Sequence, residues 1–228
     1  YNKFLKQYHK LSDRHILVAE TDMSYSDVLK VVNLSDKIRK AGNELIGLMR
    51  KNYDQLMRTK RYRKLLFLYG NTEDKDKRKI YANQLNEMQK AYHVTWDYCR
   101  KSMIPIGKKY GVDAVFALTK AEDVWRAIEK CLYGNGNTIH FSKYGELPCI
   151  RAKQINRGIP MSVKDGKLQF KLGKTAFGIQ VNDRFQQDEV DAIVTYLTES
   201  EIADNKAVHT LMEHAYCIDT YRPCYATL

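Results

Sequence analysis

Five cations fall within seven positions in the run RTKRYRK: Arg58, Lys60, Arg61, Arg63 and Lys64, set around Tyr62. Arginine offers a planar donor fork to phosphate, and tyrosine offers a ring that can stack on a base. Few acidic residues lie nearby to neutralise the cluster, so its chemistry is that of polyanion binding. The plain alternative is a solvated helix face with i,i+4 pairing. The same mixture recurs at Trp96, Arg100, Lys101, Lys108 and Lys109, and again at Arg126 and Lys130. Trp96 and Trp125 are expected in the core. A third block holds Lys143, Arg151, Lys153, Arg157, Lys164, Lys167, Lys171 and Lys174, with Phe141 and Tyr144 interleaved. Basic, aromatic faces of small barrels bind nucleic-acid backbone, although the polar side of any sheet looks similar.

Charge over the whole chain points the same way. The 228 residues carry a net charge of +11, and residues 1–110 hold 24 basic against 12 acidic side chains. Residues 175–228 hold 3 basic against 9 acidic, so a basic body is followed by an acidic tail. Such asymmetry suits a polyanionic partner.

Catalytic and metal-binding patterns are missing. None of the six histidines forms HExxH, and His209 and His214 are five apart, off the spacing of one helical metal face. No GxSxG, Walker loop or GxGxxG occurs. GNGN (134–137) follows a helical pattern instead of preceding one, so it reads as a turn. Acidic residues crowd 183–204, which a surface helix explains more simply than a metal-dependent nuclease site. No catalytic residue, metal ligand or cofactor is therefore assigned to this chain. Five cysteines without a CxxC pair argue against a zinc ribbon or a disulfide framework and fit a reducing cytosol. No run of about 18 apolar residues is present, so no membrane partner is expected.

The elements that must position these cations begin with a helical pattern from about Ser24. Leu34, Ile38, Ala41, Leu45, Leu48 and Leu56 share one face, and Arg39, Lys40, Arg50, Lys51, Arg58, Arg61 and Lys64 fall on the other. Gly42 flanks the apolar face, where another helix could approach closely. This helix should end near Gly70. A second helix spans Lys75 to about Tyr92, with Ile80, Leu85, Met88 and Tyr92 inward. A third follows the N-cap Thr95 until Pro105 breaks or kinks it. A fourth opens at the capping-box pattern Thr119–Glu122 and stops at GNGN. The period then changes to two. Thr138–Ser142, Pro148–Lys153, Gly158–Val163 and Thr175–Val181 read as strands, with a hairpin at Asp165–Gly166. HILVAE (15–20) could be a short strand, Asp188–Glu201 an acidic helix, Asn205–His214 a short helix, and Tyr221–Leu228 a strand. The fold class is α+β: an N-terminal segment (1–24), a helical lobe (25–133), and a small, incomplete antiparallel β-barrel with inserted acidic helices (134–228).

Three runs carry a resemblance: NELIGLMRKNYDQLMRTKRYRKLLFLYG, WDYCRKSMIPIGKKYG and AEDVWRAIEKCLYGNGNTIHFSKYGELPCIRAKQINRGI. Together they resemble the N-terminal half of the TnpB-like transposon-encoded RNA-guided nucleases and the related type V CRISPR effectors. In that family a helical recognition lobe is inserted into a wedge β-barrel, and a RuvC-like nuclease domain follows. The resemblance implies a prokaryotic, cytoplasmic fragment that holds guide RNA and target DNA and works with the rest of the parent chain. Mg²⁺ would belong to the parent's nuclease domain, which is absent here, and no family catalytic residue matches a position of this sequence. The first barrel strand, which should precede the helical lobe, is not evident at Tyr1. The binding residues expected on this reading are Arg58, Lys60, Arg61, Arg63, Lys64, Arg100, Lys101, Arg126, Lys130, Lys153 and Arg157. The competing reading is a cytosolic helical interaction module that binds an acidic protein partner.

Overall fold

The computed structural model describes residues 18–134, 136, 138–152, 158–181, 187, 188, 190, 191, 193–195, 198, 216–218 and 225–227. Strand β1 (Val18–Thr21) leads into α1 (Tyr25–Arg58), α2 (Lys60–Asn71), α3 (Lys75–Ala91), α4 (Trp96–Tyr110) and α5 (Ala114–Tyr133). Strands β2 (Ile150–Ala152), β3 (Met161–Lys164), β4 (Lys167–Leu172), β5 (Thr175–Gln180), β6 (Tyr216–Ile218) and β7 (Tyr225–Thr227) follow. The fold is α+β. Its strands form one antiparallel sheet in the order β2-β6-β7-β1-β5-β4-β3, and no pairing of the described residues joins β2 to β3 to close a barrel.

Chain contacts divide the molecule into two compact units, one made of 1–35 with 147–228 and the other of 36–146. The sequence suggests boundaries at 25 and 134, with one short strand, HILVAE (15–20), before the helices and the others after them. In the structure β1 precedes the helices yet lies inside the sheet, pairing with β7 and β5. Its bounds overlap the short strand expected at 15–20, while its place between β7 and β5 depends on residues far along the chain.

In the strand-rich unit, alternation decides which side is covered. Leu168, Phe170 and Leu172 of β4 are buried while Lys167 and Lys171 are exposed. Phe170 pairs directly with Phe177 of β5, their rings stacked at 5.6 Å. Asp165 and Gly166 both take left-handed backbone angles (φ 50° and 70°), as the tight β3–β4 hairpin expected at this dipeptide requires. The start of α1 is anchored to this unit. Asp27 accepts from Ser24 and Lys30 at 2.6 and 2.7 Å and from Thr175 Oγ1 at 3.3 Å, and Ser35 Oγ donates to the Pro148 carbonyl at 2.6 Å.

In the helical unit, Ala41, Leu45, Met49, Leu56, Cys99, Met103, Ala121, Val124 and Ile128 make the core. Gly42 meets α5 as expected: a Cβ there would sit 2.5 Å from Lys120 Cε. Gly107 of α4 does the same, with Ala117 Cβ at 2.8 Å from the place of its missing Cβ.

Several expectations are corrected. α4 continues through Pro105 to Tyr110. Pro105 is exposed, so the carbonyl that its missing N–H leaves unpaired can be met by water. α5 opens six residues earlier than the Thr119 pattern suggested, with Asp113 as N-cap, and Thr119 lies inside the helix bonding the Val115 carbonyl at 2.9 Å. Ile80 is exposed instead of inward. Residues 138–142 form no strand; Asn43 holds the segment through both the N–H and the carbonyl of Ser142, each at 2.9 Å. The proposed helix at 205–214 lies outside the described residues, and the acidic helix at 188–201 is described in part.

Candidate nucleic-acid interface

The densest cluster does not sit on one continuous helix. Thr59 leaves helical geometry (φ −71°, ψ 116°) between α1 and α2. Its Oγ1 reaches the Gln55 carbonyl at 3.2 Å and the Tyr92 hydroxyl at 3.1 Å. The interruption changes which residues face inward. In an unbroken helix Lys60, Arg63 and Phe67 would follow Leu56 at spacings of four, seven and eleven and fall on its buried face. Instead Tyr62 and Leu65 are buried, and Lys60, Arg61, Arg63 and Lys64 are exposed, as is Arg58 before the break.

Tyr62 is wholly buried and so is not a stacking partner for a base, contrary to the expectation. Its hydroxyl accepts from Gln89 Nε2 at 2.9 Å, and Gln89 Oε1 accepts from the Tyr133 hydroxyl at 2.8 Å. Burial pushes the Tyr62 phenol above its ordinary pKa. This relay ties the start of α2, the end of α3 and the end of α5 at one point. It brings the element carrying Lys130 to the one carrying the main cluster. The Thr59–Tyr92 bond likewise brings the α3–α4 turn to the break, and just beyond that turn Trp96 stands 37% exposed. Trp96 was expected in the core. It occupies the first position after the N-cap Thr95, whose Oγ1 accepts from Tyr98 N at 3.3 Å, and so belongs to the helix end instead of its buried face.

The cations differ in how far their own protein neutralises them. Among the described residues, no carboxylate lies within 4.0 Å of Arg58, Lys60, Arg61, Arg63, Lys64 or Lys130. Arg100 and Lys101 share Asp97 at 3.4 and 2.7 Å, and the bond from Lys101 holds that carboxyl below its usual range. Arg126 lies 3.4 Å from Glu122. These pairs are exposed one-turn contacts that water screens, so a phosphate can displace them. Arg50 reaches Asp54 at 4.0 Å. Arg39, assigned from the wheel to the open face, is instead buried: its Nε and Nη2 both donate to Asp36 Oδ1, at 3.0 and 2.8 Å. Lys153 and Arg157 lie outside the described residues.

Among the described residues, no group of three or more His, Cys, Asp or Glu side chains is placed to hold a metal ion, and no helix is long and apolar enough to cross a membrane. No family model, curated protein or solved structure matches the chain.

Proposed function

We propose that the helical unit binds the phosphate backbone of nucleic acid through the cations flanking the α1–α2 break. The observation that carries this reading is the group Arg58, Lys60, Arg61, Arg63 and Lys64, all exposed and without a carboxylate partner among the described residues. Five like charges so close together raise one another's energy, and a polyphosphate relieves that repulsion while releasing counterions. Lys130, Arg126, Arg100 and Lys101 extend the basic surface.

The finer reading is a fragment of an RNA-guided DNA endonuclease that holds guide RNA and target DNA. The three runs of resemblance support it. So does the chain order, in which one strand precedes an inserted helical unit and the rest of the sheet follows. On this reading the chain acts in a prokaryotic cytoplasm beside a nuclease domain, and the Mg²⁺ belongs to that domain. A channel of this kind reads backbone shape instead of base sequence.

Salt titration tests the proposal. Log affinity for a duplex or a structured RNA should fall linearly with log salt, with a slope of about −0.7 to −0.9 per phosphate contact. Replacing Arg61 and Arg63 with alanine together should flatten that slope by about 2 and weaken all sequences alike. Failure to bind either nucleic acid at low salt, together with salt-sensitive binding to an acidic protein, would transfer the basic face to the competing interaction-module reading.

A further inference from the structure

The segment after α5 presents two aromatic rings that the fold leaves open to solvent. Tyr144 is 91% exposed and Phe141 is 47% exposed. Their backbone, however, is fixed. Asn43 of α1 holds Ser142 between the two rings through a donor and an acceptor, each at 2.9 Å. Beyond it, Lys143 N donates to Glu146 Oε2 at 2.8 Å and Glu146 N donates to the Lys143 carbonyl at 3.1 Å. Gly145 closes this turn at φ 86°, a left-handed angle that glycine adopts without cost. The segment runs along α1 so that Phe141 lies over Gly47, Ser142 over Asn43, and Tyr144 beside Arg39, whose guanidinium is 5.7 Å from the ring centroid. Arg39 is itself immobilised by Asp36.

A fixed loop that exposes rigid, two-torsion side chains has already met the ordering cost of binding. The exposed residues that adjoin the rings in the chain are His140, Lys143, Gly145 and Glu146, none of them aliphatic. Lys40 pairs with Asp36 at 2.7 Å, whereas Lys143 has no ion-pair partner among the described residues. Flat apolar faces flanked by cations suit a flat, weakly polar group joined to an anion. We infer that Phe141 and Tyr144 form a stacking platform for unpaired bases of a single strand, with Lys143 beside them for its phosphate. This inference rests on the nucleic-acid reading above and adds to it a preference for unpaired over paired bases at this place.

The full chain is tested with a short single-stranded oligonucleotide carrying 2-aminopurine and with a duplex of the same length. Tyr144→Ala and Phe141→Ala should each weaken single-strand binding about tenfold, while Tyr144→Trp should keep it. The salt slope and duplex affinity should stay unchanged, because no phosphate contact is removed. Quenching of 2-aminopurine on binding should disappear in both alanine variants. Unaltered single-strand affinity in those variants, or equal losses on single strand and duplex, would overturn the platform and leave the phosphate reading intact. If the unsubstituted chain binds neither probe at low salt, both readings fall together. The thermal midpoint of Tyr144→Ala should equal that of the parent, which separates lost binding from lost folding.

Discussion

Arg39 and Arg58 look alike in the sequence, each a basic residue on the wheel opposite the leucines, yet one is buried in an ion pair and the other is open. What distinguishes them is the neighbour three residues back, which is Asp36 for Arg39 and Gln55 for Arg58. The hydrogen bonds from Lys40 and then Arg39 hold the Asp36 carboxyl below its usual range. A carboxyl lowered by folding stabilises the protein above its unfolded pKa near 3.8, and that contribution is lost as pH falls through the lower folded value. Asp36→Asn should therefore cost about 1.5–3 kcal/mol near neutrality, because it leaves the enclosed guanidinium without its anion. The gap between variant and parent should narrow as unfolding is followed into acid. Cysteine reactivity supplies a second check at this scale. Burial pushes the Cys99 thiol up to about 12, whereas Cys149 is exposed. Peptide mapping after brief alkylation at pH 8 should find Cys149 modified and Cys99 intact, and modification of Cys99 at a similar rate would contradict the core as described.

Elements were legible where one local rule governs them. The N-cap at Thr95, the Asp165–Gly166 hairpin and the end of α5 at Gly134 each depend on a few adjacent residues, and all three are present. What could not be read depends on contacts distant in sequence. The burial of Tyr62 needs Gln89 and Tyr133, the ordering of 138–142 needs Asn43, and the place of β1 in the sheet needs β5 and β7. The candidate site shares this limit: its cations were visible by type, but their pairing state was not. Two glycines test the helix packing. Gly107→Ala puts a methyl against Ala117 and should lower stability by about 1–3 kcal/mol despite the better helix propensity of alanine. Gly70 in α2 has nothing within 4 Å of a would-be Cβ, so Gly70→Ala should be neutral or raise stability by up to about 1 kcal/mol. Denaturant midpoints of the two variants should move in opposite directions, or only that of Gly107→Ala should move.

At the scale of the whole molecule, the helical unit has a core of its own. Leu45, Met49, Leu56, Tyr62, Cys99, Met103, Val124 and Ile128 all lie between 36 and 146. The two ends of this stretch are also held together within it, by Asn43 with Ser142 and Arg39 with Tyr144. A fragment of residues 36–146 should thus fold alone, giving a helical circular dichroism spectrum and one cooperative thermal transition. A broad, non-cooperative melt would show that the strand-rich unit supports it. The fragment also retains nine of the eleven proposed contact residues, all but Lys153 and Arg157, so its salt slope should approach that of the full chain.

The single non-helical residue at Thr59 has a consequence for how this protein can vary. Side chains advance about 100° per residue around a helix. Losing one residue at the joint would rotate α2 by that angle relative to its neighbours, swinging Tyr62 toward water and a charged neighbour toward the interior. Mutations that exchange one long cation for another there would be tolerated, whereas a change of chain length by even one codon would not. Homologous chains should accordingly keep the count between Leu56 and Tyr62 constant while the letters between them drift.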